Sequence, residues 1–277
     1  MMCSFLFSLI VTAQAVSSPV LSREPGHGGV YVVAHRGAHE GIPENTLAAY
    51  KKAIELGADF VEIDLRATRD GKFVSVHNAD VEDYTRDASG PVSGFTLAEL
   101  QALDIGSRVG PEWADERIPR FEDILELCRG RIGVYLDMKQ GDVEKAAAIV
   151  REYGMTQEVL WYVGGAPLRT LREYCPECIV MPDPGSEKSL KRILETVSPK
   201  VVASVWKHMS VTFAEACHAA GAKVIVDDDG PETWESLLNW GVDGIQTDHV
   251  AELIALLRKR EEGDVILRPA TSEVQSP

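Results

Sequence analysis

Basic residues are scarce in this chain of 277 residues. Its 28 lysines and arginines are outnumbered by 43 aspartates and glutamates, which gives a formal net charge of −15 at pH 7. Proteins that bind nucleic acid do so through basic surface, so this balance argues against nucleic acid as a partner. It argues equally against an anionic membrane surface. A small anionic substrate stays compatible with it, because a few cationic side chains and a metal ion can reverse the field inside one pocket.

Cysteine is also rare, with five residues in the whole chain. Only Cys175 and Cys178 are closely spaced, and a tetrahedral zinc site would need a second such pair. Cys128 and Cys217 fall on predicted helices, where we expect buried thiols. We expect the close pair to form a local structural disulfide after export, with two idle thiols or a redox site as the alternatives.

Long apolar runs are missing as well. The segment from Phe5 to Val11 is mostly apolar but too short to span a bilayer, and no later segment qualifies. Because Ala13-Gln14-Ala15 follows it as a small-x-small cleavage site, residues 1–15 are predicted to be a signal for export to the periplasm or the medium. No lysine or arginine precedes the run, so a buried helix or a misplaced start is the alternative.

The remaining chain alternates short apolar segments with amphipathic ones. A polar arm rich in proline and glycine, residues 16–29, precedes a domain at 30–260, and the polar tail at 261–277 is predicted to be disordered. The first predicted helix runs from Glu44 to Leu56 and the last from Val250 to Arg258. The predicted strands are Val30–Ala34, Phe60–Leu65, Ile132–Leu136, Val159–Val163, Ile179–Met181, Val201–Val205, Lys223–Val226 and Asp243–Asp248.

Eight strands that are each followed by a helix predict an α/β fold, the closed TIM (β/α)8 barrel. A doubly wound open sheet is the alternative, but it normally carries a glycine-rich phosphate loop after its first strand. The first turn here reads His-Arg-Gly-Ala-His, without that pattern. Residues 78–119 break the regularity, since they are acidic and irregular apart from a predicted helix at Leu97–Leu103. We interpret them as a small insertion that covers one rim of the barrel.

Polar side chains follow several of the predicted strands. In a barrel the carboxyl ends of the strands meet at one rim, where the chemistry of such folds gathers. Period-two alternation puts Glu62 and Asp64 on the same face of the second strand. The other members predicted at this rim are His35, Arg36, Glu44, His77, Asp137, Lys139 and Asp248.

This rim combines three kinds of chemical group. Carboxylates without cysteine or clustered histidine suit a hard cation, Mg²⁺ or Ca²⁺, better than zinc. Arg36 and Lys139 can hold anionic oxygens, and His35 and His77 can act as an acid and a base. Together they predict metal-assisted displacement at a phosphodiester.

Each residue of this set also has a purely structural interpretation. A lone histidine can be a satisfied core residue, and a lone carboxylate can belong to a surface ion pair. The set as a whole favours function, because its charges sit on otherwise hydrophobic strands that point into a barrel mouth. Outside the set, His39 and His208 are interpreted as loop or rim residues. Residues 227–229 are interpreted as a solvated acidic loop, with a place on the rim as the alternative.

Several motifs in one order resemble the glycerophosphodiester phosphodiesterase family. The resemblance runs from about Val30 to Leu257 and implies a TIM barrel with a small insertion after the second strand. It also implies metal-dependent hydrolysis of glycerophosphodiesters to glycerol 3-phosphate and an alcohol. The motifs are His35-Arg36-Gly37, Pro43-Glu44-Asn45-Thr46, Glu62-Ile63-Asp64, Asp70-Gly71, Val76-His77, Gly90-Pro91-Val92 and the segment from Gly241 to Asp248.

The resemblance also implies a role at each matching position. His35 and His77 match the general acid/base pair, and Arg36 and Lys139 match the groups that hold the phosphate. The implied metal ligands are Glu62, Asp64 and Asp137, with Glu44 bound to the metal or one contact away.

The chain departs from the family pattern in several places. The segment from Val224 to Asp228 stands where the family commonly has Trp-Thr-Val-Asn. Asp137 replaces the usual glutamate, Asn78 replaces an aspartate after the second histidine, and Asp83 stands where an arginine is frequent. These departures bear on the pocket around the non-reacting half of the substrate. A related lipid or sugar phosphodiesterase and a non-catalytic phosphodiester-binding barrel are therefore the alternative functions.

Overall fold

The computed structural model describes residues 21–267 of the chain. The predicted export signal at 1–15 lies outside the described residues, and so does the part of the predicted tail from 268 onward. The prediction of a disordered tail from residue 261 is wrong at its beginning, because the last helix continues to Leu267.

The described residues form nine strands and nine α-helices in a mostly alternating order. Short 3₁₀ turns occur at Val92–Gly94, Pro111–Trp113, Trp206–His208 and Pro231–Thr233. The strands are β1 Tyr31–Ala34, β2 Phe60–Ala67, β3 Phe73–Ser75, β4 Gly133–Met138, β5 Val159–Tyr162, β6 Ile179–Val180, β7 Val201–Val205, β8 Lys223–Asp227 and β9 Gly244–Thr247. The helices are α1 Leu47–Leu56, α2 Leu97–Gln101, α3 Phe121–Cys128, α4 Val143–Glu152, α5 Gly165–Tyr174, α6 Glu187–Thr196, α7 Val211–Ala219, α8 Trp234–Asn239 and α9 Val250–Leu267.

Eight of the strands run parallel around a barrel. Their order is β6-β5-β4-β2-β1-β9-β8-β7, and the short β3 adds to β2 in the antiparallel direction. Between the two ends of this order, the backbone N–H of Ala203 on β7 donates to the carbonyl of Pro182 just after β6, at 3.0 Å. The predicted TIM (β/α)8 barrel is confirmed.

Side chains on alternate positions of each strand fill two separate layers of core. Tyr31 and Val33 of β1 point into the barrel with Phe60, whereas Val32 and Ala34 face the surrounding helices. Both faces of the parallel sheet are thereby buried, which explains why the strands read as continuous apolar runs.

The arm before β1 closes the amino-terminal end of the barrel. Leu21 is only 2% exposed and joins the interior cluster of the barrel. The Tyr31 hydroxyl donates to the carbonyl of Arg23 at 2.6 Å, and the Asp59 carboxylate accepts from the backbone N–H groups of Gly26 and Val32, each at 2.8 Å. The arm is thus bound to the barrel floor, at the end opposite the polar strand ends.

Residues 78–119 fold around a small apolar cluster of their own. Val81, Tyr84 and Leu100 pack there with Val74 of β3 and with Val76 just after it, which tie the segment to the barrel. Its helix α2 has a complete Thr96–Glu99 capping box but ends at Gln101, two residues before the predicted end. The indole of Trp113 donates to the carbonyl of Gly41 in the β1–α1 loop at 2.9 Å, so the segment reaches the rim.

The cysteines behave as their spacing and surroundings suggested. Cys175 and Cys178 form a disulfide between the end of α5 and the start of β6, and Cys128 and Cys217 are buried free thiols. Since Cys178 immediately precedes a strand, this disulfide lies at the amino-terminal end of the barrel, away from the polar rim.

None of the helices within residues 21–267 has the length and hydrophobicity together that crossing a bilayer would require.

Candidate active site

The turn after β1 delivers two of the predicted site residues. Arg36 has a positive φ of 53° and Gly37 one of 83°, so the backbone reverses immediately after His35. A Cβ atom on Gly37 would lie 2.7 Å from the Cβ of Ala49 on α1. Only glycine satisfies both the backbone angle and this close approach.

Helix α1 begins later than predicted because the site residues that precede it are not helical. It starts at Leu47 instead of Glu44, since Asn45 has a φ of 56° and cannot be helical. Thr46 caps the helix by accepting from the N–H of Ala49 through its side-chain oxygen. The interruption turns the side chains of Glu44 and Asn45 towards the barrel mouth, where both make the contacts described below.

Three carboxylates meet at the mouth of the barrel. Glu62 and Asp64 extend from the same face of β2, and Asp137 on β4 is the register partner of Asp64. One oxygen from each of the three lies within 4.8 Å of the others. Glu62 and Asp64 are 2% and 1% exposed, so their charges are almost fully withdrawn from water.

The crowding of these acids separates their proton affinities. Burial and the neighbouring Asp64 raise the pKa of Glu62 well above its usual value. Burial also raises the pKa of Asp137, against the opposing effect of Lys139. Burial alone would raise the pKa of Asp64 too, but Lys139 and a hydrogen bond from Asn45 outweigh it and lower that pKa. Asp64 is therefore the one of the three whose surroundings favour the ionised form.

The two predicted phosphate-binding cations lie against these acids. The Lys139 ammonium is 2.6 Å from Asp137 Oδ2 and 3.2 Å from Asp64 Oδ1. Arg36 donates from its backbone N–H to Glu62 Oε2 at 2.8 Å and from Nη1 to Glu44 Oε2 at 3.1 Å. Glu44 is thus engaged by Arg36 and lies outside the group of three close carboxylates.

A buried polar network fixes Asp64 from behind. Asn45 donates from Nδ2 to Asp64 Oδ2 at 2.7 Å, and Ser75 Oγ accepts the backbone N–H of Asp64 at 3.1 Å. Ser75 also donates to Asn45 Oδ1 at 2.7 Å, and the fully buried Tyr50 hydroxyl lies 2.9 Å from both partners. Sequence reasoning did not predict this network, although Asn45 belongs to one of the family motifs.

His35 is held by the carboxylate that follows β9. Its Nδ1 lies 2.8 Å from Asp248 Oδ1, and His39 Nε2 lies 3.0 Å from the same oxygen. Hydrogen bonds from His35 and then His39 lower the pKa of Asp248 far below its usual value, so Asp248 is a carboxylate that can only accept. Both imidazole nitrogens must then carry protons, which leaves Nε2 of His35 as the atom free for a substrate.

Asp227 also belongs to the site, and its interpretation as part of a solvated loop is wrong. It is the last residue of β8, and its Oδ1 accepts from the side chain of Gln246 on the neighbouring β9 at 3.1 Å. Burial raises the pKa of Asp227, while His35 lies close enough to oppose that effect. Of the other two acids, Asp228 binds the indole of Trp234 and only Asp229 is exposed.

Burial lowers the pKa of His35, but its surroundings raise it by more. The hydrogen bond to Asp248 and the charges of Asp227 and Asp248 together outweigh burial, and the net pKa of His35 lies above its ordinary value.

His77 is held by a neutral side chain. Its Nδ1 lies 2.7 Å from Asn78 Oδ1, and the amide of Asn78 donates in turn to Asp83. Because the amide nitrogen is bound to Asp83, the oxygen faces His77 and fixes its proton on Nδ1. Arg66 binds the backbone carbonyl of His77 at 2.6 Å, which secures the main chain of this residue.

All nine residues predicted at the rim therefore lie around one barrel mouth, although in different relations, with Asp248 bound to His35. Glu62, Asp64 and Asp137 form the acidic group, with Lys139 and Arg36 against it and Glu44 bound to Arg36. His77 is near enough to Asp64 and Asp137 to oppose the effect of burial on their pKa values, and His35 lies beside Asp227.

The acidic group fits a hard divalent cation. It offers three carboxylates at short mutual distances and contains no cysteine, the donor set that Mg²⁺ and Ca²⁺ favour. Asp64 Oδ1 is buried and has no hydrogen-bond partner within the described part of the chain, although Lys139 Nζ lies 3.2 Å away. An oxygen that is buried and not hydrogen-bonded in this way is suited to coordinate a metal.

The sequence is similar to those of one family of enzymes. Residues 35–163 match the model of the Glycerophosphoryl diester phosphodiesterase family. A glycerophosphodiester phosphodiesterase of Caldanaerobacter subterraneus is 33% identical over 245 residues, which cover 82% of this chain and 98% of that protein.

Solved structures give the same assignment. A glycerophosphodiester phosphodiesterase from Agrobacterium tumefaciens superimposes with a TM-score of 0.74 at 29% identity, over 82% of this chain and 99% of the other. A phosphodiesterase from Oleispira antarctica, in complex with the product sn-glycerol-3-phosphate, gives a TM-score of 0.73 at 27% identity, over 81% of this chain and 95% of the other.

Substitution of two glycines in the β1–α1 loop tests how tightly the turn after β1 is packed. Gly37 and Gly41 both have positive φ, 83° and 72°, but only Gly37 has an atom within 4 Å of the position that a Cβ would take. We expect Gly41→Ala to cost about 1–2 kcal/mol of unfolding free energy from the backbone alone. Gly37→Ala should cost at least about 1 kcal/mol more, because it also overpacks the contact with Ala49. Denaturant unfolding measures both, and equal losses would contradict this account of the turn.

Proposed function

The chain belongs to the glycerophosphoryl diester phosphodiesterase family, and on that premise we propose that it hydrolyses glycerophosphodiesters to glycerol 3-phosphate and an alcohol. The observation that carries the proposal is one barrel mouth that combines three close carboxylates, two cations and two histidines. The relative from Oleispira antarctica, solved with sn-glycerol-3-phosphate, supports glycerol 3-phosphate as the product class.

Arg36 and Lys139 would hold the phosphodiester. A guanidinium offers a planar pair of donors to two oxygens, whereas an ammonium acts as a point charge. Both cations lie against carboxylates, so an arriving phosphate would share them with Glu44, Asp64 and Asp137. In this proposal Glu44 orients Arg36 instead of binding the metal directly.

Glu62, Asp64 and Asp137 would hold the divalent metal, Mg²⁺ or Ca²⁺. Bound there, the metal would polarise the phosphoryl oxygen and offset the charge that grows on it during displacement. Asn45 and the N–H of Arg36 keep Asp64 and Glu62 pointed at the mouth, so the ligands are oriented in advance.

His35 and His77 would carry the two proton transfers. One takes the proton of the nucleophile, either water or the neighbouring glycerol hydroxyl, as the new P–O bond forms. The other gives a proton to the leaving alkoxide as the old P–O bond breaks. Both histidines have Nδ1 bound to a partner, so Nε2 is the atom available for each transfer.

A panel of diesters, assayed with and without divalent metal, tests this function. We expect metal-dependent release of glycerol 3-phosphate from glycerophosphodiesters. The panel also contains lipid and sugar diesters, because the segment that contains Asp83 is acidic and departs from the family pattern. Faster hydrolysis of those diesters would identify a related phosphodiesterase. Thermal stabilisation by diesters without any turnover would identify a binding protein and overturn the proposal.

Removing either histidine should reduce turnover severely. We expect His35→Ala and His77→Ala each to lower kcat by about 10²- to 10⁴-fold, the usual contribution of a positioned acid or base. His208→Ala is the matched control, because His208 is exposed in the turn after β7 and makes no side-chain hydrogen bond within residues 21–267. Thermal unfolding should show that all three variants are folded, and a fully active His35→Ala variant would refute the mechanism.

Chelation should stop the reaction and added metal should restore it. We expect EDTA to abolish activity and Mg²⁺ or Ca²⁺ to recover it, with metal also raising the unfolding temperature of the wild type. Asp137→Asn should weaken both effects, since it removes one charge from the acidic group. Glu55→Gln, on an exposed helix face, is the control. Undiminished activity in a verified metal-free sample would rule out the metal.

The pH dependence of the reaction should respond to Asp248. This carboxylate raises the pKa of His35 against the effect of burial, so replacing it by a neutral amide should lower that pKa. The limb of the pH–rate profile that follows His35 should therefore move to lower pH in Asp248→Asn, whether His35 acts as the acid or as the base. An unmoved profile would contradict the interaction.

A further inference from the structure

Asp248 holds two imidazoles on a single oxygen. His35 Nδ1 and His39 Nε2 lie 2.8 Å and 3.0 Å from its Oδ1. His35 is one of the two histidines assigned to proton transfer, whereas His39 has no place in that assignment.

The Asp248 carboxylate has little else to keep it in place. Its side chain is 50% exposed, and among residues 21–267 it makes no hydrogen bond apart from those to the two histidines. A half-exposed carboxylate with one partner can rotate into water, where it is fully solvated. A second donor on the same oxygen opposes that rotation.

The loop that carries His39 is itself secured on two sides. Glu40 Oε1 lies 3.1 Å from Nδ1 of His249, the residue after Asp248. On the other side the indole of Trp113, in the segment 78–119, donates to the carbonyl of Gly41 at 2.9 Å. His39 and Glu40 therefore face Asp248 and His249 as two adjacent histidine–carboxylate pairs. The imidazole of His39 is presented to Asp248 by a fixed backbone.

We propose that His39 is a positioning residue for His35: it holds the Asp248 carboxylate in the orientation that keeps the proton of His35 on Nδ1 and leaves Nε2 free for the substrate. The inference rests on the proposed function for its kinetic consequence. The structural consequence is independent of the proposed function, since the tautomer of His35 is a property of the protein without substrate. His39 itself touches no reacting atom in this proposal.

Nitrogen NMR on histidine-labelled protein tests the structural consequence directly. At a pH where His35 is neutral, we expect the wild type to hold the Nδ1–H tautomer. We expect His39→Ala to shift His35 towards the Nε2–H tautomer, because a released Asp248 no longer selects the other one. The His35 resonances are assigned by their loss in His35→Ala. An unchanged tautomer in His39→Ala would overturn the proposal.

The kinetic consequence separates positioning from general damage. We expect His39→Ala to lower kcat about tenfold, the value of one hydrogen bond to a charged group, while KM changes by less than about twofold. His39→Gln keeps a neutral N–H donor at a similar reach and should recover most of that loss, together with the tautomer. His208→Ala is again the control and should change neither quantity.

Failure of the positioning role and failure of the proposed function give different results. If the wild type hydrolyses no diester, the proposed function fails, and the NMR comparison alone decides the role of His39. If the enzyme is active but His39→Gln is as impaired as His39→Ala, a neutral donor is not what His39 supplies, and the positioning role is wrong. A lower unfolding temperature with unchanged kcat and tautomer would reduce His39 to a structural contact.

Discussion

The crowding of three carboxylates in a low-dielectric barrel mouth is the constraint on which the rest of the site depends. Like charges this close repel strongly when water is excluded, and each needs a compensating donor or cation. The surrounding groups supply them: Lys139 reaches two of the acids, the backbone of Arg36 binds the third, and Asn45 fixes Asp64. The left-handed conformations of Arg36 and Asn45 follow from the same requirement, since both place donors at the acids. Backbone strain at this turn is therefore part of the electrostatic design.

The two histidines are anchored by different chemistry on different elements. His35 binds a carboxylate at the end of the last strand, and His77 binds an amide in the segment after β3. A carboxylate partner favours the imidazolium and a neutral amide does not, so one rim contains two imidazoles of the same type in unequal electrostatic surroundings. Such inequality suits a reaction in which one group gains a proton while the other loses one.

Much of this architecture could be predicted from the sequence, and the exceptions share a cause. Apolar periodicity identified all eight barrel strands, and strand ends identified the acidic group, because both signals are local. Asp227 was misjudged because three consecutive aspartates resemble a solvated loop, whereas its role depends on the register between β8 and β9. The partnership of His39 with Asp248 joins residues 209 positions apart, which no local pattern encodes. Helix α9 extends past its predicted end at Arg258 because residues 259–264, which are charged apart from Gly263, interrupt the apolar periodicity of its earlier part.

The hydrogen bond from Asn78 to Asp83 restricts which residues can stand together at these two positions. The family resemblance puts an aspartate and an arginine at these two positions, which would pair as opposite charges. Here the amide of Asn78 donates to Asp83 and turns its oxygen to His77. A chain moving from one pair to the other by single substitutions would pass through two facing carboxylates, or through an amide whose only neighbour is another donor. The first intermediate would add repulsion between carboxylates beside His77, and the second would turn the amide oxygen of position 78 away from His77, so the residues at the two positions depend on each other.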